Sequence, residues 1–280
     1  MKQLSAFLTA AAFGVMSVTA QAQVKMPAPS PGQTIKQDFA LSAVEVTYSR
    51  PAVKGRTIMG DLVPYNKIWR MGANAATRIK FGEDVKLNGK PVPAGEYVIY
   101  AIPGHTSWEI IINKGLKNWG VDGYKQEEDV ARFTAEPQEL PFPIESFMIT
   151  FGDVRPSAMT MMFLWDRIMI PVEITADIDG KIMASIEEGM KTDKKPYFQA
   201  AMYYFESGRD VNQAIKWMDA ALAEPNNAKA FWMYYQKARM QAKAGDKAGA
   251  KATSAKSTEL AKAAKNDDYV ALNEKLMATL

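Results

Sequence analysis

The chain has 280 residues, of which 48% are hydrophobic, 23% charged and 10% aromatic, an ordinary globular composition with length enough for two domains. A net charge of only +3 excludes a one-signed field that would draw the whole molecule to nucleic acid or an anionic membrane. The absence of cysteine excludes disulfides, thiolate chemistry, Cys-ligated zinc and a lipid-bearing N-terminal Cys, so the fold must rest on its own core.

In chain order, Met1-Lys2 gives a short positive start and Leu4 to Ala20 an apolar run. Ala20-Gln21-Ala22 then supplies the small-x-small pattern that a signal peptidase reads. These features predict a signal peptide over residues 1–22, cut before Gln23, and an exported protein, periplasmic or secreted. A membrane anchor is the competing reading, but the run is at or just under the roughly 17–25 residues a span needs. Proline-rich "VKMPAPSPGQ" predicts a linker over residues 23–34.

Period-two alternation follows. "AVEVTYS" sets Val44, Val46 and Tyr48 against Glu45, Thr47 and Ser49, and "TRIKF" continues the pattern. In "DVKLNGKPV", Asn88-Gly89 between alternating flanks signals a tight hairpin. "PAGEYVIYAIPG", "SWEIIINK", "IESFMITFGDV", "AMTMMFLWD" and "RIMIPVEIT" read as five further strands. Strands at this spacing, without helices between them, predict an antiparallel β-sandwich or jelly-roll-like domain over residues 35–175.

From residue 176 to the end the period becomes helical, giving an α+β chain of two parts. An internal echo carries Ala214 onto Ala250, a 36-residue offset near the roughly 34 of a tetratricopeptide repeat. The helical part therefore resembles a tetratricopeptide hairpin domain over residues 176–280. Pro225 comes one position early for that pattern, and the helix after Asn227 is too long for it.

Candidate chemistry is sparse. The single histidine, His105, sits between Pro-Gly and Thr-Ser and reads as a turn residue, since no metal or triad partners stand beside it. Asp177 and Asp179 lack the remaining ligands of a calcium loop, and either would serve as a helix N-cap. Glu127, Glu128 and Asp129 read as a solvated acidic face. Nine Lys/Arg against two acidic residues between Lys229 and Lys265 read as the outer face of Ala-rich helices; docking to an acidic partner is the second reading.

The densest unusual chemistry lies in "YSRPAVKGR" and "LVPYNKIWRMGANAATRIKF". Arg50, Lys54, Arg56 and Arg70 can supply charge-assisted hydrogen bonds, Trp69 a stacking face, and Asn74 an orienting amide. Together they would suit an acidic or glycan-like ligand. The commoner use of such residues is to fix irregular backbone, with Arg50 and Arg70 as buried forks on carbonyls, and that structural reading outweighs the site.

The string "YSRPAVKGRTIMGDLVPYNKIWRMGANAATRIKF", with "LNGKPVPAGEYVIYAIPG", "WEIIINK" and "NWG", resembles the domain-of-unknown-function 2911 family of exported bacterial proteins. The resemblance covers about residues 30–175. It implies an exported β-rich domain without assigned activity, sometimes followed by tetratricopeptide-like helices. The family's usual motif carries Glu after Gly-Ala-Asn, where this chain has Ala75; a carboxylate function at that position would be missing here.

Two function classes remain open. One is a non-enzymatic envelope module that binds a small polar or glycan-type ligand through Arg50, Lys54, Arg56, Trp69, Arg70 and Asn74, with the helices contacting a protein partner. The other is an envelope hydrolase whose paired carboxylates the sequence does not reveal. Neither requires a cofactor, a metal, a nucleic acid or a membrane span.

Overall fold

The computed structural model describes residues 26–280. The expected signal peptide, its cleavage site and the first linker residues lie outside the described residues. The chain forms two compact units, one ending at Ala176 and one spanning Asp177–Leu280. Among the described residues no helix is long and apolar enough to cross a membrane.

Among its described residues the first unit holds ten antiparallel strands: β1 (Gly32–Phe39), β2 (Ser42–Ser49), β3 (Thr77–Phe81), β4 (Val85–Leu87), β5 (Lys90–Val92), β6 (Gly95–Ile102), β7 (Trp108–Asn113), β8 (Asp129–Ala135), β9 (Gln138–Arg155) and β10 (Ala158–Thr175). One sheet runs β1-β2-β3-β6-β7-β8 and the other β5-β4-β10-β9. Alternation decides which faces turn inward. β3 buries Thr77, Ile79 and Phe81 and exposes Arg78 and Lys80. Both sheets contribute to one apolar core, from Val44 and Val46 on β2 to Val172 and Ile174 on β10. Each fully buried Ile or Val there contributes about 1.5–3 kcal/mol of transfer free energy.

The tight hairpin falls where expected. Asn88 and Gly89 join β4 to β5 with φ of 44° and 79°, the positive pair a type I′ turn needs. Two strands are additions. β1 begins at Gly32, inside the expected linker, and β8 follows the acidic stretch read as a solvated face. β1 is an edge strand with Thr34, Lys36 and Asp38 exposed, and its inward face mixes Gln33 and Gln37 with Ile35 and Phe39, so it carries little apolar alternation to read.

The two expected strands 158–166 and 167–175 are one strand, β10. Its buried residues are odd-numbered from Met159 to Trp165 and even-numbered from Ile170 to Ile174. The change falls at Asp166, where φ is 51° and the ladder with β9 loses register. Across that region β9 carries extra residues, since Leu164 pairs with Met148 but Asp166 with Ile144. The freed backbone of β9 captures the segment after β2. Val53 N–H donates to the Glu145 carbonyl at 2.8 Å, and Phe147 N–H to the Pro51 carbonyl at 2.8 Å.

The second unit is all helical: α1 (Asp179–Gly189), α2 (Tyr197–Glu206), α3 (Val211–Ala223), α4 (Phe231–Lys243), α5 (Lys247–Ala263) and α6 (Asp267–Ala278). Small residues at the crossings, Ala201, Ala214, Ala221 and Ala230, let neighbouring helices approach around Met218, Met233 and Met240. α3 opens at Val211 and α5 at Lys247, 36 residues on, while α4 has 13 residues against 10 in α2. Asp210, Asp246 and Asn266 cap α3, α5 and α6. α1 differs from expectation. Its N-cap is Ile178, without a side-chain bond, and Asp179 sits in the first turn, paired to Arg209 at 2.6 Å.

Candidate functional site

Between β2 and β3 the chain runs without regular strands from Arg50 to Ala76. Four of its residues, Lys54, Asn66, Met71 and Asn74, hold positive φ without being glycine. Such conformations cost about 1–3 kcal/mol each unless a side chain tolerates them, so the surroundings must enforce them. Met71 is fully buried, and its carbonyl accepts from the Thr77 hydroxyl. Gly72 has φ of 151°, and a Cβ there would lie 2.9 Å from the Ser49 carbonyl oxygen, so only glycine fits.

The same segment is pinned to the sheets. Trp69 exchanges two backbone hydrogen bonds with Ala101 of β6, at 2.7 and 2.9 Å. Its ring stacks on Trp165 at 5.9 Å and 17°, and meets Phe147 and Trp108 edge-on at 5.4 and 6.0 Å. Trp69 is therefore half core: three of its neighbours are aromatic anchors, and what remains of its surface faces a cavity.

That cavity, about 190 Å³ and open to solvent, is lined by Trp69, Arg70, Arg56, Leu62, Gly72 and Trp165, among others. No acidic residue is among its lining. The Arg70 side chain makes no hydrogen bond, ion pair or cation–π contact with a described residue, and its Nε is fully buried. The Trp165 indole N–H is likewise buried and without a described partner, on a side chain only 3% exposed. Two orphaned donors on one cavity are unusual, because a buried donor left unpaired costs about 1–3 kcal/mol. An adjoining recess, lined by Pro29, Ser30, Ala52, Lys54 and Arg56, extends the basic surface. None of Lys54, Arg56 and Arg70 forms an ion pair with a described residue.

The six candidate residues thus divide. Arg56, Trp69 and Arg70 meet on the cavity and Lys54 stands beside it. Arg50 and Asn74 are used by the fold. Arg50 Nε donates to the Phe147 carbonyl at 3.0 Å, and the Asn74 amide donates to the Ser30 carbonyl and the Ser49 hydroxyl at 3.3 Å. Arg56 is shared, since its Nε and one terminal nitrogen bind the Val53 and Ala52 carbonyls. The expected buried fork of Arg70 on carbonyls is absent; its guanidinium has no such partner among the described residues.

Sequence reasoning passed over Trp165, which reads as one more strand residue. Its signal is the Trp-Asp-Arg at which β10 changes its inward face.

Elsewhere the chemistry is structural. His105 lies exposed in a bend, with its ring 3.8 Å from that of Tyr65. Asp129, read as part of a solvated face, instead accepts from Arg132 at 2.6 Å, Asn113 at 2.8 Å and Tyr124 at 2.9 Å. Those bonds and Glu109 hold the Arg132 guanidinium well above its ordinary pKa, against the opposing effect of burial. No cluster of three or more His, Asp or Glu able to hold a metal occurs among the described residues.

A sequence model for a family described as a protein of unknown function, DUF2911, matches residues 30–174. The chain belongs to the DUF2911 family. The matched residues take in β1–β9, all of β10 but its last residue, Trp165 and the whole 50–76 segment, whereas α1–α6 lie beyond them. No curated protein and no solved structure matches this DUF2911 chain.

Proposed function

We propose that this DUF2911 protein is an exported, non-enzymatic binding module whose β-unit holds a small anionic or glycan-type ligand over Trp69 and Arg70. The observation that carries the reading is the Arg70 guanidinium, unpaired among the described residues, on an open cavity whose lining has no acidic residue. A planar cation presenting parallel donors fits a carboxylate or phosphate, and the indoles beside it fit an apolar ring face. Glycoside hydrolysis would require two carboxyl groups about 5–10 Å apart across the ligand. The cavity lining supplies neither, so it supports capture without cleavage.

Export rests on the N-terminal pattern of residues 1–22. The helical unit serves protein contact. Support comes from its tetratricopeptide-like offset and from a groove of about 550 Å³ lined by Met183, Met190, Tyr204 and Trp217.

A thermal-shift screen of the exported chain, from Gln23 onward, against sugars, sugar acids, peptidoglycan fragments and inorganic phosphate tests the binding reading. The expected result is a rise in Tm with an anionic ligand that Arg70→Gln abolishes, because a ligand stabilises only what it binds. An Arg70→Gln variant that still responds to every such ligand as wild type does would sink it.

A further inference from the structure

Outside the cavity, Trp119 is the most exposed aromatic side chain among the described residues. Trp119 is 66% exposed and makes no ring contact or side-chain hydrogen bond with a described residue. The turn that carries it is fixed. Asp122 N–H donates to the Trp119 carbonyl at 3.0 Å, and the Asn118 amide reaches the Tyr100 hydroxyl at 3.1 Å. The next residue, Gly120, is buried against Arg70: a Cβ there would stand 3.5 Å from Nη1 and 3.6 Å from Cδ of that side chain. The turn is therefore seated on the guanidinium that lines the cavity, and Trp119 stands one residue from it.

The cavity has room for about six waters at ~30 Å³ each, roughly one sugar ring. A ring in that space would set a carboxylate against the Arg70 guanidinium, with Trp69 and Trp165 as apolar walls. The turn packed on Arg70 puts the exposed Trp119 within one residue of that guanidinium, and its rigid aromatic face suits the C–H face of a second ring. A lone phosphate or small carboxylate would use Arg70 and leave Trp119 idle.

We infer that the ligand is an oligosaccharide containing uronic acid, with one ring in the cavity, its carboxylate on Arg70, and the following ring stacked on Trp119. This rests on the cavity reading of the proposed function and adds a second subsite to it.

Titration calorimetry of the exported chain tests it with the monomer and trimer of galacturonate and of mannuronate, with galactose and inorganic phosphate alongside. At least one trimer is expected to bind about tenfold more tightly than its monomer, the gain of one aromatic stacking contact. Trp119→Ala, an exposed change expected to leave Tm unaltered, removes that gain and leaves monomer affinity unchanged. Arg70→Gln loses both. A trimer no tighter than its monomer, or one insensitive to Trp119→Ala, overturns the inference while Arg70-dependent monomer binding preserves the cavity reading. Phosphate binding that depends on Arg70, without uronate binding, has the same consequence. Absence of any Arg70-dependent binding overturns both.

Discussion

Two sets of buried polar groups in this chain stand in contrast. In the seam between α5 and α6, Ser254 and Asn273 lie 2.9 Å apart, Asn273 donates to Ser257 at 2.9 Å and to the Tyr269 carbonyl at 2.7 Å, and Ser257 donates to Phe231. All three side chains are fully buried and partnered. At the cavity of the β-unit, Arg70 and Trp165 present buried donors with no described partner. Two partial orphans in the helical unit do not blur the contrast: Arg209 bonds Asp179 through another nitrogen, and Gln241 bonds Asp246 through its amide. A closed network is architecture, because its low-dielectric surroundings strengthen bonds already made. A guanidinium left unpaired on the lining of an open cavity is a standing offer to an acceptor.

The contrast can be broken by mutation, and the largest effect belongs to the seam. Asn273→Leu keeps the branching of the side chain but strands the buried Ser254 hydroxyl and takes one of two partners from Ser257, so urea unfolding of the helical transition is expected to show a loss of about 2–4 kcal/mol. Tyr48→Phe shows that closure, rather than helix against sheet, is what matters. Its buried hydroxyl accepts from Ile149 N–H at 2.9 Å and donates to Gln33 at 2.8 Å, and removing it is expected to cost about 1–3 kcal/mol. Arg70→Gln is expected to change stability by no more than about 1 kcal/mol while removing ligand response. A loss as large as that of Asn273→Leu would place Arg70 with the closed networks and end the contrast.

The smallest effect is a pH dependence. The Arg209 guanidinium, and after it the Tyr203 hydroxyl, hold the Asp179 carboxyl below its ordinary value. Its contribution is therefore present above about pH 4 and fades as pH falls through the lowered folded value. The small Tm gap between wild type and Asp179→Asn at pH 7 should narrow progressively as the pH is lowered through the acid range; a gap that does not change with pH would mean the ion pair contributes nothing.

The strands that bury one face were legible from alternation, as at Val44–Val46–Tyr48 and in TRIKF, and so was the Asn88-Gly89 turn. β1 was hidden because both its faces carry polar residues. The site was half legible. A guanidinium fork and an indole mark Arg70 and Trp69 by residue type, but whether an arginine is satisfied depends on carbonyls from strands about a hundred positions away, as Arg50 shows with Phe147. Trp165 and Trp119 look alike in sequence, yet one is 3% and the other 66% exposed. Only the packing separates them.

The change of inward face at Asp166 has a further meaning for how this protein can vary. A strand with a single alternation has one reading frame of side chains, and a one-residue deletion within it turns the buried residues on one side of the cut outward. β10 has two frames joined at a dislocation, so Trp165 and the half before it are indexed separately from Ile170, Val172 and Ile174, which secure the second sheet. Length changes at that joint can be absorbed by re-indexing one half, which leaves the cavity free to drift in shape while the half that pairs with β4 stays in step.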